Sequence, residues 1–208
     1  MLKIDKDTAI YCSFSTNPGN NGCEFFNKQF QIYKLNAIYK SFRSESIKES
    51  IEAVKALDIK GFALSMPFKI HVLDYLNEVD NTVKKIGSVN TVINNKGILK
   101  GYNTDWIGVK KFFELSNFKS IYIIGDGGFS KAIQYTCKIM GIEFEIINRK
   151  SWNKIYDLND QFLINATPID IPTTTNKVID LRPNKDSGKK VALYQAQEQF
   201  KIYTGFQL

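Results

Sequence analysis

The sequence predicts an α/β protein of two lobes, in which short strands alternate with amphipathic helices. Apolar runs of strand length are separated by segments whose apolar residues recur at helical spacing. A chain of 208 residues is long enough for two small domains. A glycine-rich turn at residues 125–128 directly follows one apolar run, as at the start of a second strand–turn–helix unit.

The first lobe begins this alternation. Strands are expected at residues 8–14, 35–42, 61–66 and 89–94, and helices at 23–33, 47–57 and 69–86. The helix after Ser46 has the clearest pattern, because Ser46 and Glu49 form a capping box ahead of a periodic apolar stripe. Alternating strands and helices imply parallel pairing through right-handed crossovers.

The second lobe repeats the pattern. Strands are expected at residues 120–124, 143–150, 162–168 and 178–181, and helices at 106–115, 129–140 and 191–203. We therefore predict one domain at residues 1–104 and a second at 105–189. A C-terminal helix at 190–208 is expected to pack back on the first lobe.

Composition and charge exclude several classes of protein. No apolar run reaches the roughly 18 residues of a membrane span, and the N-terminus has no signal-peptide pattern. The cysteines Cys12, Cys23 and Cys137 are scattered without metal-ligand or disulfide spacing, which favours a reducing, cytoplasmic location and no bound metal. The net charge of +7 comes from lysines spread singly, which favours an anionic small molecule over nucleic acid.

Gly125, Gly127 and Gly128 lie between an apolar strand and a helix. In that context, bare backbone lets a pyrophosphate approach the helix N-terminus, where unpaired N–H groups favour anions. The sequence thus favours a dinucleotide site of the Rossmann type, provided that Asp126 points away from the phosphates. The alternative is an ordinary tight turn between a strand and a helix.

The end of the next strand indicates which dinucleotide would bind. NAD sites usually have an acidic residue there for the ribose 2′-hydroxyl, whereas this chain has Asn148, Arg149 and Lys150. Arg149 can bind a 2′-phosphate bidentately and Lys150 adds positive charge, so NADP is the predicted cofactor. The alternative is that both are solvated basic residues at a strand end.

Lys69 and Asp105 are the candidate acid/base pair of the first lobe. A lysine with a shifted pKa can accept or donate a hydroxyl proton in alcohol–ketone interconversion, while the carboxylate orients it and balances its charge. Two structural alternatives remain open. Asp105 would make a good N-cap for the following helix, and Lys69 could be a surface residue in the first turn of a helix.

Seven short segments resemble, in order, the motifs of the shikimate dehydrogenase family. They are GFALSMPFK (61–69), IGSVNT (86–91), GYNTD (101–105), GDGGFSKA (125–132), NRK (148–150), NATP (165–168) and QAQEQF (195–200). The resemblance implies a substrate-binding lobe, a trimmed Rossmann-type NADP-binding lobe, and reversible NADPH-dependent reduction of 3-dehydroshikimate.

The resemblance also implies roles for individual residues. Lys69 and Asp105 would act at the C3 hydroxyl, and Asn90 and Gln195 would bind substrate hydroxyls, with Ser65 in place of a threonine of the family. The NADP site would be lined by Gly125, Gly127, Gly128, Asn148, Arg149 and Thr167.

Several positions depart from the family pattern. Family members hold the substrate carboxylate with two serines of an S-x-S-P-x-x-H-N motif, and Ser13 and Ser15 fit that role only if the loop at 16–22 is an insertion. Ala63 stands where the family has an asparagine. The tyrosine that the family has after the strand ending near Asp180 is missing, and Arg182 lies close to that position in the sequence. The favoured function is an active dehydrogenase, monomeric or homodimeric, acting on shikimate or a close polyol carboxylate. The alternative is a degenerate relative that binds ligand as a sensor or scaffold.

Overall fold

The computed structural model describes residues 4–172 and 174–208, which form two compact α/β units. One unit extends to Asn103 and also includes Ala196–Leu208, and the other is Thr104–Gln195. The returning segment therefore starts at residue 196, later in the C-terminal helix than the predicted 190. The assignment of one unit to substrate and the other to a nucleotide stays a prediction.

The first unit contains a six-stranded mixed sheet flanked by helices. Its strands are β1 (Ala9–Ser15), β2 (Ala37–Arg43), β3 (Gly61–Leu64), β4 (Glu78–Val79), β5 (Thr91–Asn95) and β6 (Ile98–Tyr102), in the order β2-β1-β3-β5-β6-β4. Its helices are α1 (Asn21–Ile32), α2 (Ile47–Ala56), α3 (Phe68–His71) and α4 (Asn81–Ile86), with a 3-10 helix at Val72–Tyr75.

The second unit contains a four-stranded parallel sheet. Its elements are α5 (Asp105–Phe113), β7 (Ser120–Ile124), α6 (Gly128–Met140), β8 (Glu143–Ile147), a 3-10 helix at Arg149–Asp157, β9 (Phe162–Asn165) and β10 (Lys177–Asp180), with the strand order β10-β9-β7-β8. Helix α7 (Asp186–Thr204) begins in this unit, and its residues from Ala196 onward belong to the first. The predicted α/β fold class is confirmed.

Local signals account for the ends of several helices. The Ser46 side chain accepts a hydrogen bond from the Glu49 N–H at 3.3 Å, which confirms the predicted N-cap of α2. Asp80 caps α4 in the same way through the Val83 N–H at 2.7 Å. Helix α6 ends at Gly141, whose φ of 69° is left-handed and favours glycine at this position.

The sheet of the first unit separates two apolar clusters. Because side chains alternate along β1, Cys12 and Phe14 belong to one cluster and Tyr11 packs against the other. The second cluster brings Phe26 of α1 against Tyr39 of β2, with their ring centroids 4.4 Å apart. Burial of one such aromatic side chain contributes about 2–3 kcal/mol to folding. These clusters hold α2 and α1 against the two faces of this sheet.

The predicted single helix at 69–86 is wrong. This segment forms α3, a 3-10 helix, β4 and α4 instead. The cause is pairing with a strand that the sequence analysis did not identify: Asn77 exchanges hydrogen bonds with Leu99, and β4 pairs with β6. Tertiary pairing has overridden the local helical pattern.

The expectation of parallel pairing holds for only part of the first unit. Strands β1, β2 and β3 are parallel, but β5 pairs antiparallel with both β3 and β6. Lys96 and Gly97 at the turn between β5 and β6 have φ angles of 51° and 89°, which is typical of a tight β-hairpin. The sequence Asn95-Lys96-Gly97 carried that signal.

Candidate functional site

The carboxyl ends of β7, β8 and β9 meet at one edge of the second sheet. Ile124 pairs with both Ile147 and Asn165, so Gly125, Asn148 and Ala166 follow side by side. The Gly125 N–H donates to the Ile147 carbonyl at 2.8 Å, and the Ala166 N–H donates to the Ile124 carbonyl at 3.0 Å. In open α/β sheets, ligands bind at this edge.

The glycine turn leaves its backbone accessible at this edge. Gly125 has a φ of +109°, and a Cβ there would lie 3.0 Å from Thr167 Cγ2, so both conformation and space require glycine. A Cβ at Gly127 would meet no heavy atom within 4 Å. Helix α6 starts at Gly128, so its first turn follows directly after this open position.

Ser130, which the sequence analysis missed, fixes the turn. Its side chain is buried and donates to the Gly125 carbonyl at 2.8 Å, while Gln134 donates to Ser130 Oγ at 3.2 Å. The only signal in the sequence was a serine in the first turn of a predicted helix, which is common without such a role.

The Thr167 loop is held by the buried side chain of Asn165. Asn165 Oδ1 accepts hydrogen bonds from the Thr167 N–H at 2.9 Å and from Thr167 Oγ1 at 2.7 Å, and Nδ2 donates to the Ile169 carbonyl at 2.9 Å. An asparagine that bonds the backbone two residues on forms a compact turn. Thr167 is thereby fixed next to Gly125.

Arg182 holds the C-terminal part of the Thr167 loop through hydrogen bonds. Its guanidinium donates to Asp180 at 3.0 Å, to the Pro168 carbonyl at 3.3 Å and to the Asp170 carboxylate. Burial opposes ionisation of Asp180, but the hydrogen bonds from Arg182 outweigh it and hold the pKa of this carboxyl below its usual value. The same guanidinium lowers the pKa of Asp170.

Asn148 shapes the segment proposed to contact a 2′-phosphate. Its Oδ1 accepts from the Lys150 N–H at 2.9 Å, and its own N–H donates to Ser151 Oγ at 3.0 Å. This capping box starts a 3-10 helix directly after β8, so the strand ends at Ile147 and not at the expected residue 150. The Arg149 and Lys150 side chains are exposed beside the turn.

Candidate residues of the first unit gather at the carboxyl ends of β1 and β3. Ser15 ends β1, and the Ser65 N–H donates to the Phe14 carbonyl at 3.2 Å. Lys69 lies in α3, where it is partly buried, and its carbonyl accepts from the Val89 N–H at 2.7 Å. That bond connects α3 to the segment that precedes Asn90.

Asn90 is buried in a chain of side-chain hydrogen bonds. Thr91 Oγ1 donates to Asn90 Oδ1 at 2.8 Å, and Gln199 Nε2 donates to Thr91 Oγ1 at 2.9 Å and to the Asn90 carbonyl at 3.3 Å. Gln199 was not predicted as a functional residue, because glutamine in an amphipathic helix usually faces solvent. Gln195 of the same segment was predicted instead.

Asp105 and Gln195 belong to the second unit. Asp105 is fully buried as the first residue of α5, and the N-cap is Thr104, so the alternative in which Asp105 caps this helix is wrong. A Cβ at Gly108 would lie 2.6 Å from the Val191 carbonyl and 3.2 Å from Gln195 Cβ. The close packing of α5 against α7 therefore requires a residue without a side chain at 108.

Ser13 is engaged by its neighbours in the first unit. Ser13 Oγ donates a hydrogen bond to Ser41 Oγ at 3.1 Å. Burial raises the pKa of the Tyr39 phenol above its ordinary value. Cys23 Sγ lies 3.3 Å from Ser41 Oγ, so the three short side chains form one polar cluster above the aromatic core.

Two further findings bear on the class of the protein. Within residues 4–172 and 174–208, no helix combines the length and apolarity needed to cross a bilayer. Over the same ranges, no group of three or more His, Cys, Asp or Glu residues is arranged to hold a metal ion.

Comparison with known proteins identifies relatives along the chain. The family model of the shikimate dehydrogenase substrate binding domain matches residues 22–92. A shikimate dehydrogenase-like protein of Haemophilus influenzae is 39% identical over 143 residues, which cover 67% of this chain and 53% of that protein. A shikimate dehydrogenase (NADP(+)) of Caldanaerobacter subterraneus is 35% identical over 161 residues, or 74% of this chain and 57% of that enzyme.

The fold agrees with these alignments. A crystal structure of a shikimate dehydrogenase in complex with NADP+ superposes with a TM-score of 0.82 and 26% identity, over 99% of this chain and 93% of that one. In sequence, the matches span little more than half the length of these two curated relatives. Motifs, fold and relatives agree, and the chain belongs to the shikimate dehydrogenase family.

Proposed function

We propose that the protein interconverts shikimate and 3-dehydroshikimate, or a closely related polyol carboxylate, with NADP as cofactor. The observation that carries the proposal is the complete burial of the Asp105 side chain at the start of α5. Carboxyl groups are seldom fully buried in folded proteins, and the exceptions cluster at functional sites. The naming of the Caldanaerobacter relative as an NADP(+) shikimate dehydrogenase supports the same activity.

The residues at the edge of the second sheet fit NADP. The open backbone at Gly127 would admit a pyrophosphate to the N-terminus of α6, and a Cβ there would fill the approach. The exposed Arg149 guanidinium suits a 2′-phosphate, with Lys150 beside it. When bound, NADP would supply the acceptor or donor of the hydride.

Lys69 and Asp105 are proposed to handle the proton of the reacting hydroxyl. During oxidation, the Lys69 amine would take the hydroxyl proton as the carbonyl forms, and during reduction the ammonium would return it to the carbonyl oxygen. Asp105 would accept a hydrogen bond from the same hydroxyl and balance the charge of Lys69. Asn90 and Gln195 would hold the neighbouring hydroxyls.

Steady-state kinetics with shikimate and NADP+ test this proposal. Lys69→Ala and the near-isosteric Asp105→Asn should each lower kcat by about 100-fold or more, the range for loss of an acid/base group. Lys84→Ala, at an exposed lysine in the last turn of α4, is the matched control and should retain the wild-type rate. Equal rates for the wild type and Lys69→Ala would remove Lys69 from the mechanism.

One observation favours ligand binding without turnover as a second candidate. The described second sheet has four strands, and β8, which precedes Arg149, pairs only with β7. A small sheet buries little apolar area, so the unit built on it is only marginally stable. Calorimetry that shows tight shikimate binding, with no NADP+ reduction at saturating ligand, would support this candidate. The cytoplasmic location and the monomeric or dimeric state stay predictions.

A further inference from the structure

Gln199 is a buried amide that the proposed mechanism does not use. Its side chain is 3% exposed, and Thr91 and Asn90 beside it are 0% and 1% exposed. A buried neutral polar group destabilises the fold unless its hydrogen bonds are satisfied. The three side chains therefore satisfy one another through hydrogen bonds.

The hydrogen bonds among these residues have one direction. A hydroxyl carries a single proton. Thr91 Oγ1 accepts from Gln199 Nε2, which has no lone pair to offer, and uses its own proton for Asn90 Oδ1. The order of donation is Gln199, then Thr91, then Asn90. The Asn90 amide oxygen is thus turned toward Thr91, and its Nδ2 group is turned to the opposite side of the amide.

The backbone around this chain of bonds is held as well. The Asn90 carbonyl accepts from Gln199 Nε2 at 3.3 Å and from the Leu64 N–H at 2.9 Å. Thr91 pairs with Ala63 across β3 and β5. The start of β5 is therefore fixed relative to the end of β3, one residue before Ser65.

We propose that Gln199 is a positioning residue, which acts through Thr91 to present Asn90 Nδ2 as a hydrogen-bond donor. Asn90 would then select a substrate oxygen that accepts a hydrogen bond, such as a ring hydroxyl. This inference rests on the proposed function, in which Asn90 binds the substrate. A fixed donor favours a ligand that offers an oxygen at this point over a ligand that offers a second donor.

Two kinds of measurement on the full-length protein test the proposal. Thr91→Val keeps the shape of the side chain and removes the hydroxyl, whereas Thr91→Ser keeps the hydroxyl. Thr91→Val and Gln199→Met should raise KM for shikimate by about tenfold and leave KM for NADP+ within about twofold. The double variant should be no worse than Thr91→Val alone, because both substitutions break one chain of bonds. Thr91→Ser should restore the wild-type KM.

Side-chain amide NMR provides a readout that does not depend on catalysis. The Asn90 amide resonances should shift in Thr91→Val and stay in place in Thr91→Ser. Thr204→Val is the matched control, because Thr204 Oγ1 donates to the Phe200 carbonyl of its own helix and has no bond to Asn90 among those described. Unchanged Asn90 resonances and unchanged KM in Thr91→Val would overturn the proposal. A wild type without shikimate turnover would refute the proposed function, while the resonances would still decide whether Gln199 and Thr91 orient Asn90.

Discussion

Gly125 and Thr167 approach so closely that a single added carbon at Gly125 would lie 3.0 Å from Thr167 Cγ2. Gly125 also has a φ of +109°, which residues with side chains rarely adopt. Gly125→Ala should therefore lower the free energy of unfolding by about 1–3 kcal/mol and weaken NADP binding, since strain and displacement of the Thr167 loop act together. Chemical denaturation and NADP-dependent thermal shift measure the two effects.

Gly127 is the matched control for that substitution. Its φ of −90° is ordinary, and a Cβ there would touch nothing within 4 Å. Gly127→Ala should lower the free energy of unfolding by no more than about 1 kcal/mol, the cost of alanine at the N-cap of α6. The substitution should still weaken NADP binding, because the methyl group would lie where the pyrophosphate approaches. Unaltered NADP affinity in Gly127→Ala would contradict the proposed phosphate site.

Arg149 should determine the choice between NADP and NAD. The side chain is exposed at the start of the 3-10 helix, so Arg149→Ala should not affect folding. We expect KM for NADP+ to rise by about tenfold while KM for NAD+ is unchanged, because the guanidinium would contact only the 2′-phosphate. Lys154→Ala, in the same 3-10 helix, removes an equal charge at another position and should leave the ratio of kcat/KM for NADP+ to kcat/KM for NAD+ unaltered. The ratio of kcat/KM values for the two cofactors is the measurement.

The interaction of Arg182 with Asp180 and Asp170 should stabilise the protein at neutral pH and less so in acid. Both carboxyl groups have a pKa below the usual value, so their contribution is fully present above the pKa of the unfolded chain, about 3.9. It is lost as pH falls through the lower folded-state pKa values. Arg182→Gln should be less stable than the wild type at pH 7, with the difference shrinking below about pH 4. Urea denaturation across this range would show a constant difference if the carboxylates were not involved.

Most of the fold could be predicted because local signals and packing agree. The apolar run at 120–124, the glycine turn and the periodic helix that follows all indicate one strand–turn–helix unit, and the structure contains it. The Ser46 cap likewise coincides with the start of α2. At such positions the residue pattern and the tertiary contacts favour the same conformation.

Prediction failed where a distant partner decides the structure. Residues 78–79 became a strand because β6 lies beside them, although their own spacing suited a helix. Gln199 and Ser130 have polar side chains on amphipathic helices, where solvent exposure is the usual outcome. Their burial depends on hydrogen-bond partners far along the chain or in a turn, and those partners have no local signature. Lys69 and Asp105 were selected first as residue types suited to acid/base chemistry and then through family motifs, and their catalytic roles stay predictions.

Ser13 and Ser15 lie on the same face of β1, and the Ser13 hydroxyl has a defined acceptor in Ser41 Oγ, 3.1 Å away. Ser13 gives its proton to Ser41, so that proton is not directed to a ligand. If Ser15 holds the substrate carboxylate, Ser15→Ala should raise KM for shikimate by about tenfold, as for loss of a hydrogen bond to a charged group. Ser13→Ala should change this KM by less than about threefold and mainly lower the free energy of unfolding, because it breaks a part-buried hydrogen-bonded cluster. Steady-state kinetics and denaturation of both variants decide between the serines, and the reverse order of effects would mean that Ser13 turns away from Ser41 when substrate binds.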